Sequence, residues 1–140
     1  MTTKNSTELP MPIHPQTKIG HIHLTVADLE RSLAFYRDLL GFEVTMRYGD
    51  SAVFLSAGGY HHHLGTNLWA GSSARSPEDD QAQLLEWTLE LPDVESVRRA
   101  AESLASAESP VEIVPEGTTA RTRDPWGTPL AIVARKEQGS

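Results

Sequence analysis

Apolar and polar residues alternate where the ordered part of the chain begins. In the segment 19–26 every second residue from Ile22 to Val26 is apolar. This period of two predicts a half-buried strand. Asp28 follows where a helix N-cap belongs, because its carboxylate can accept hydrogen bonds from the free N–H groups of a first turn. Leucine and aromatic residues then recur at helical spacing until Gly41, which is typical of a left-handed C-terminal cap.

The second half of the chain repeats this arrangement. The segment 84–105 again alternates and then becomes helical, and an offset of 65 residues carries Asp28 onto Asp93, the second predicted N-cap. Strand-like runs follow both helices, so each half is predicted to be a βαβββ unit. Such an internal repeat of one supersecondary unit is a signal of the whole fold. We therefore predict an α+β protein with two tandem modules, and strands that begin near Ile19 and Leu84.

The predicted domain organisation follows from this repeat. A polar loop that contains Pro77 joins the two modules, as expected of a linker. The N-terminal residues lack an apolar core, so we expect a mobile polar leader and not a secretory signal. The predicted segments are a flexible leader (1–17), one domain (18–136) made of module one (18–70), a linker (71–82) and module two (83–136), and a tail (137–140).

Composition excludes several classes of function. The formal net charge of −7 argues against nucleic-acid binding, which needs a basic surface. The chain has no cysteine, so disulfides and thiolate metal sites are excluded and a cytoplasmic location is permitted. No apolar run reaches the length of about 20 residues that a membrane-spanning helix needs. The expected partner is a small-molecule substrate.

Three stretches resemble a known superfamily. "IGHIHLTVADLERSLAFYRDLLGFEV" and the later "RDPWGTPLAIV" look like the vicinal oxygen chelate superfamily of glyoxalase I, bleomycin-resistance proteins and extradiol dioxygenases. "FLSAGGYHHHLGTNLWAG" resembles the C-terminal domain of catechol 2,3-dioxygenase-like proteins. The resemblance covers about Lys18 to Arg135. It implies modules whose sheets curl around a shared cavity, a divalent metal held by cavity-facing side chains, and a homodimer that covers sheet edges.

The resemblance directs the metal to the first strand of each module. In the family the first-strand ligand commonly follows a glycine, as His21 follows Gly20, so His21 is the expected ligand from module one. Glu86 falls on His21 at the offset of 65. A buried carboxylate is costly without a partner. A metal, an arginine or solvent would serve as the partner of Glu86.

The third expected ligand comes from the run of three histidines. When the last strand of module two is aligned with this run by matching Gly127 to Gly59, Ala131 falls on His63. Family members with a complete site in the second module often have a glutamate at that place. We therefore expect His63 to be the third ligand.

The strand alternation leaves alternatives within the run. His61 shares the predicted face of His63 and is the neighbour or alternative ligand, whereas His62 should point the other way. A slip of one residue would exchange these faces. An exposed strand end without metal is the alternative for the whole run.

The expected site fits a metalloenzyme. His21, His63 and Glu86 are two imidazoles and a carboxylate, the ligand set of non-haem iron(II) oxygenases. Fe(II) is favoured, and Zn, Mn, Ni or Co also fit. Expected catalytic residues are His23 or His61 as a base and Tyr60 as an acid or hydrogen-bond donor.

The resemblance favours dioxygenase-like ring cleavage of a small catecholic or vicinal-oxygen substrate. Two alternatives remain. One is a metal-free protein that sequesters a drug, as bleomycin-resistance proteins do. The other is isomerase or lyase chemistry of the glyoxalase type on the same metal.

Overall fold

Each half of the chain folds into the same succession of elements. The structure, a computed structural model, describes residues 11–114 and 116–136. The first module contains β1 (Ile22–Thr25), α1 (Leu29–Leu33) with a π-helical continuation (Ala34–Leu39), β2 (Glu43–Tyr48), β3 (Ala52–Ser56) and β4 (Leu64–Asn67). The second contains β5 (Trp87–Leu91), α2 (Val94–Ser106), β6 (Val111–Ile113), β7 (Thr119–Arg123) and β8 (Pro129–Ala134).

The strands form two four-stranded sheets of identical topology. Their orders are β1-β4-β3-β2 and β5-β8-β7-β6. The first strand of each module pairs in parallel with its last strand, and the other pairs are antiparallel. The predicted α+β fold with two βαβββ modules is confirmed. The two sheets do not close on each other.

Aspartate caps begin both helices. Asp28 accepts a hydrogen bond from the backbone N–H of Arg31 at 2.9 Å, and Asp93 accepts one from that of Ser96 at 2.8 Å. Each bond satisfies one of the free donors of a first helical turn. Gly41 ends the first helical segment with a φ of +90°, a conformation that favours glycine.

One hydrophobic core includes side chains from both modules. Leu33 and Leu55 of the first module and Leu104 and Leu130 of the second belong to the same buried cluster. Burial of these side chains supplies the main stabilisation of the fold. The modules are therefore packed together through their helices and the sheet faces that the helices cover.

A buried polar contact also joins the modules. The Tyr36 hydroxyl donates to Asp124 Oδ2 at 2.6 Å, and Asp124 Oδ1 accepts from the backbone N–H groups of Trp126 and Thr128, both at 2.9 Å. The "DPWG" turn that follows β7 is thus tied to the helix of the other module.

The first strand of each module is shorter than predicted. β1 begins at Ile22 and β5 at Trp87, whereas the alternation predicts starts near Ile19 and Leu84. Ile19 is 89% exposed, so the apolar pattern extends beyond the paired residues.

The predicted terminal segments are only partly described. Residues 1–10 of the expected leader and all of the tail 137–140 lie outside the described residues. Residues 11–17 are exposed and form no helix or strand. Among the described helices, none has the length and apolar character required to cross a bilayer.

Candidate metal centre

Three imidazoles converge beside β1. His21, His23 and His62 each offer a ring nitrogen, and these nitrogens all lie within 4.8 Å of one another. The ring centroids are 4.2 Å apart for His21 and His62, 5.1 Å for His21 and His23, and 5.9 Å for His23 and His62. We call these three residues the histidine group.

A glycine makes room for one member of the group. His23 on β1 pairs with Gly65 on β4, and the His23 ring lies over the glycine. A Cβ atom at position 65 would come within 2.8 Å of the His23 ring, closer than real contacts allow. The absence of a side chain at Gly65 therefore leaves the space that the His23 ring occupies.

His62 is the most enclosed imidazole of the group. Its ring stacks on Phe54 with centroids 4.7 Å apart and planes inclined by 26°. Its Nε2 is buried and has no hydrogen-bond partner among the residues that the structure describes. Its Nδ1 lies 3.1 Å from Nδ1 of His61. Burial lowers the pKa of His62, and the neighbouring imidazoles lower it further.

These features fit a divalent metal ion. A buried nitrogen without a partner costs free energy, and a metal ion would supply that partner. A lowered pKa keeps the imidazole of His62 neutral, which is the state that binds metals. If His62 carries its proton on Nδ1 and donates to His61, the Nε2 lone pair is free for the ion.

Of the three expected ligands, only His21 belongs to this group. The Nδ1 atom of His63 accepts a hydrogen bond from the backbone N–H of Ala57 at 3.2 Å, and its ring packs near Phe42. Glu86 precedes β5 and pairs with Arg121 at 3.5 Å. The expected grouping of His21 with His63 and Glu86 is therefore not found, and His23 and His62 stand beside His21 instead.

The backbone explains why His62 takes the place expected for His63. Strict alternation counted back from β4 would turn His63 towards His21. β4 begins only at Leu64, and the chain bends at His61 and His63. Gly58 and Gly59, both with positive φ, precede this irregular segment. The glycine pair is the sequence signal that the alternation does not extend through the run.

The register of the last strands corrects a second expectation. Ile22 pairs with Leu64, and Trp87, its equivalent, pairs with Leu130. The residue that corresponds to Ala131 is therefore Gly65, not His63. The alignment that matches Gly127 to Gly59 is displaced from the true strand register.

Aromatic side chains surround the group. Trp69 is 66% exposed and stacks on His23, with centroids 6.1 Å apart and planes inclined by 25°. The His61 ring lies 6.2 Å from that of His21, and the Tyr60 ring lies 4.0 Å from that of His61. Of the expected catalytic residues, His23 thus lies within the group, and His61 and Tyr60 lie beside it. Trp69 is one of the tryptophans that the sequence places in the core or in the cavity wall, whereas nothing in the sequence pattern singles out Phe54.

Comparisons with known proteins agree with this architecture. The family model of the Glyoxalase/Bleomycin resistance protein/Dioxygenase superfamily matches residues 18–132. The chain is 45% identical over 97 residues to a catechol-2,3-dioxygenase of Bacillus subtilis (strain 168), an alignment that covers 69% of this chain and 34% of that protein. It is 33% identical over 121 residues to a manganese-dependent 2,3-dihydroxybiphenyl 1,2-dioxygenase of Geobacillus genomosp. 3, covering 82% of this chain and 36% of the relative. The chain thus spans about a third of the length of these curated relatives.

Solved structures share the fold at lower identity. A glyoxalase/dioxygenase from Nostoc punctiforme aligns with a TM-score of 0.71 and 16% identity, covering 93% of this chain and 100% of that one. A lactoylglutathione lyase from Agrobacterium tumefaciens aligns with a TM-score of 0.66 and 23% identity, covering 91% and 100%. At these identities the likeness concerns the fold.

Proposed function

The chain belongs to the glyoxalase/bleomycin resistance protein/dioxygenase superfamily, and from that premise we propose that it is a metal-dependent enzyme acting on a small molecule with two neighbouring oxygen atoms. The proposed reaction is dioxygenase-like ring cleavage of a catecholic substrate. The names of the two curated relatives support this class of reaction, and one of the names specifies manganese.

One observation carries the proposal. The buried Nε2 of His62 has no hydrogen-bond partner in the described chain, and it belongs to a group with two further imidazoles. We propose that His21, His23 and His62 hold a divalent ion. When bound there, such an ion would act as a Lewis acid towards the two oxygens of the substrate. Imidazole nitrogens bind Fe(II), Zn, Ni and Co, and Mn(II) more weakly, so the donor set alone does not identify the metal.

The aromatic residues around the group suit a planar substrate. Trp69 is stacked on His23, and Phe54 is stacked on His62. Offset stacking on such rings contributes about 0.5–1.5 kcal/mol beyond the burial of area. We propose that Trp69 orients the ring of the substrate while its two oxygens meet the histidine group.

His61 is placed to donate a hydrogen bond to the substrate. Its Nδ1 contacts Nδ1 of His62, which leaves Nε2 of this exposed imidazole available to the substrate. Because Nδ1 of His61 accepts a hydrogen bond from His62, the neutral ring of His61 carries its own proton on Nε2. We propose that this Nε2–H donates a hydrogen bond to a substrate oxygen and stabilises the negative charge that develops there. The Tyr60 ring, 4.0 Å away, packs against His61 and limits its orientations.

Oxygen consumption by the metal-loaded protein tests this function. The protein is loaded anaerobically with Fe(II) or Mn(II), catechol or 2,3-dihydroxybiphenyl is added, and uptake of dioxygen is followed with the absorbance of the ring-opened product. We expect one dioxygen consumed for each catechol opened. His61→Ala should retain its metal and lose on the order of 100-fold in turnover, the usual cost of removing one donor to a developing negative charge.

The alternative functions give other results. Loaded protein that binds catechol without taking up oxygen would contradict ring cleavage. Protein that binds a drug equally well with and without metal would favour the sequestering function.

We also propose that the chain forms a homodimer. The strands β1, β2, β5 and β6 are edge strands of their sheets. Unpaired edges favour association with other chains unless they are covered. Light scattering at micromolar concentration should give twice the mass of the chain, and a monomer mass would contradict the proposal.

A further inference from the structure

A cavity that is partly open to solvent lies between the two modules. Its volume is about 180 Å³. The first module contributes Phe42, Ala57 and His63 to its wall, and the second contributes Leu89, Ala100 and Ile132. Two consecutive histidines thus have different surroundings, because His62 belongs to the histidine group and His63 lines this cavity.

The hydrogen bonds of His63 determine what it offers to a guest. Its Nδ1 accepts from the backbone N–H of Ala57 at 3.2 Å and therefore carries no proton in the neutral ring. The proton then sits on Nε2, at the opposite edge of the imidazole. The backbone of His63 is held by Leu55 and Ile22 through bonds of 2.8 and 3.0 Å. His63, a residue of the cavity wall, thus carries one hydrogen-bond donor on a fixed backbone.

The remaining wall is mostly apolar. Glu90 is the one charged residue on this wall within the described part of the chain, and its carboxylate is bound by Arg135 at 2.9 Å. No unpaired charge therefore favours an ionic guest there. A cavity of about 150 Å³ holds benzene, so this one has room for a single ring with a small substituent.

We propose that this cavity is a second binding site, for a small neutral ring compound with one hydrogen-bond acceptor, such as an aryl ketone. The ring lies among the apolar residues, and the acceptor takes the Nε2–H of His63. The site does not depend on the histidine group or its metal, so its failure would leave the proposed ring cleavage untouched.

Two probes of the same shape test the site. Acetophenone carries a carbonyl where α-methylstyrene carries a methylene group, and both are titrated into ¹⁵N-labelled protein. Amide shifts are expected at Leu89, Ala100 and Ile132. Acetophenone should bind about 2- to 10-fold more tightly, the ratio that one net hydrogen bond provides. His63→Phe keeps a ring but lacks the donor, so it should abolish the preference.

A matched pair of variants on α2 tests the position. Ala100→Leu fills the cavity and should weaken binding of both probes at least about 10-fold, since added methylenes crowd a packed space. Ala105→Leu adds the same group at an exposed position of the same helix and should leave binding unchanged. The amide spectrum of each variant without probe reports whether it is folded.

Several results would overturn the proposal. They are shifts confined to the histidine group, equal affinity of the wild type for the two probes, or undiminished binding by folded Ala100→Leu. If His63→Phe does not fold, the affinity ratio in the wild type decides, and a ratio of one contradicts the role of His63.

Discussion

In the first module, His23 on β1 lies beside Gly65 on β4; in the second, the paired residues at the equivalent positions are Thr88 and Ala131. The strand order and the register are the same, but the side chains differ. The first module leaves room for an imidazole, and the second fills the space with a methyl group. The fold therefore depends on the strand order and register that the two modules share. The histidine group depends on side chains that differ between them.

The residue before each first strand shows the same contrast. His21 belongs to the histidine group, whereas its counterpart Glu86 forms an exposed ion pair with Arg121. Such surface pairs contribute at most about 1 kcal/mol. The second module thus supports the site by packing against the first and not by adding a described ligand to it.

The largest expected effect concerns the contact that holds the unlike modules together. Asp124→Ala removes the acceptor of Tyr36 and of two backbone N–H groups, and it leaves these donors without a partner. We expect a loss of about 3–4 kcal/mol in the free energy of unfolding. Urea denaturation measures it. Asp50→Ala, in an exposed turn, is the control, and a loss of similar size there would contradict a specific role for Asp124.

Gly65, the glycine beneath His23, can be replaced by the residue that the second module has at the equivalent position. Gly65→Ala gives module one the methyl group that module two already has at Ala131, so the fold should persist. The new Cβ would meet the His23 ring at 2.8 Å and displace it. We expect metal affinity to fall about 10-fold, as when the support of a ligand is lost.

Gly20→Ala is the matched control for this exchange. Its Cβ would lie 3.4 Å from the Tyr60 hydroxyl, an ordinary contact. Isothermal titration with Mn(II) compares the two variants. Equal affinities would mean that Gly65 does not position His23.

Because of the Tyr36–Asp124 hydrogen bond between the modules, the stability of the protein should also depend on pH in the alkaline range. Burial and the neighbouring Asp124 raise the pKa of Tyr36 above its usual value. Above about pH 10 the unfolded chain releases this proton while the folded chain keeps it. The contribution of Tyr36 to the free energy of unfolding is therefore complete below that pH. It falls as pH rises further, by up to about 1.4 kcal/mol per pH unit. Tyr36→Phe lacks this group and should show a shallower decline. Parallel declines in urea titrations of both proteins would contradict the raised pKa.

The smallest expected effect compares the two helix caps. Asp93 accepts from both the backbone N–H and the hydroxyl of Ser96, whereas Asp28 accepts from one N–H of its first turn. Asp93→Ala should lower the melting temperature by about 3 °C, and Asp28→Ala by less.

Acid should erase the contribution of Asp93. Its hydrogen bonds with Ser96 lower the pKa of its carboxyl, so the stabilisation is present above the ordinary pKa near 4 and is lost as pH falls below it. Calorimetry at neutral and acid pH measures the difference. A deficit of Asp93→Ala that persists in acid would contradict this cause.

Local patterns were sufficient to predict the fold. Asp28 and Asp93 cap their helices as predicted, and Gly41 has the positive φ that ends a helix. These features act over a few residues and repeat at a fixed offset, so they can be read without knowing which strands pair.

The membership of the histidine group could be predicted only in part. His21 is predicted from its place after Gly20 in the segment 19–26, as the resemblance implies. The choice of His62 depends on bends after Gly58 and Gly59 that no alternation rule describes. The sequence leaves a metal, an arginine or solvent open as the partner of Glu86. Its pairing with Arg121 depends on the register of β7, which lies far along the chain. Long-range register and irregular backbone are therefore what the sequence pattern leaves open.

The central claim is tested most directly by comparing the metal affinity of alanine variants at the adjacent positions His62 and His63. Alanine is introduced at each position, and the dissociation constants for Mn(II) and Fe(II) are measured by anaerobic titration, with amide spectra to confirm folding. His62→Ala should lose more than about 10-fold in affinity, because a ligand matters at least as much as its support, while His63→Ala keeps wild-type affinity. Full affinity in His62→Ala together with loss in His63→Ala would contradict the histidine group as the metal site.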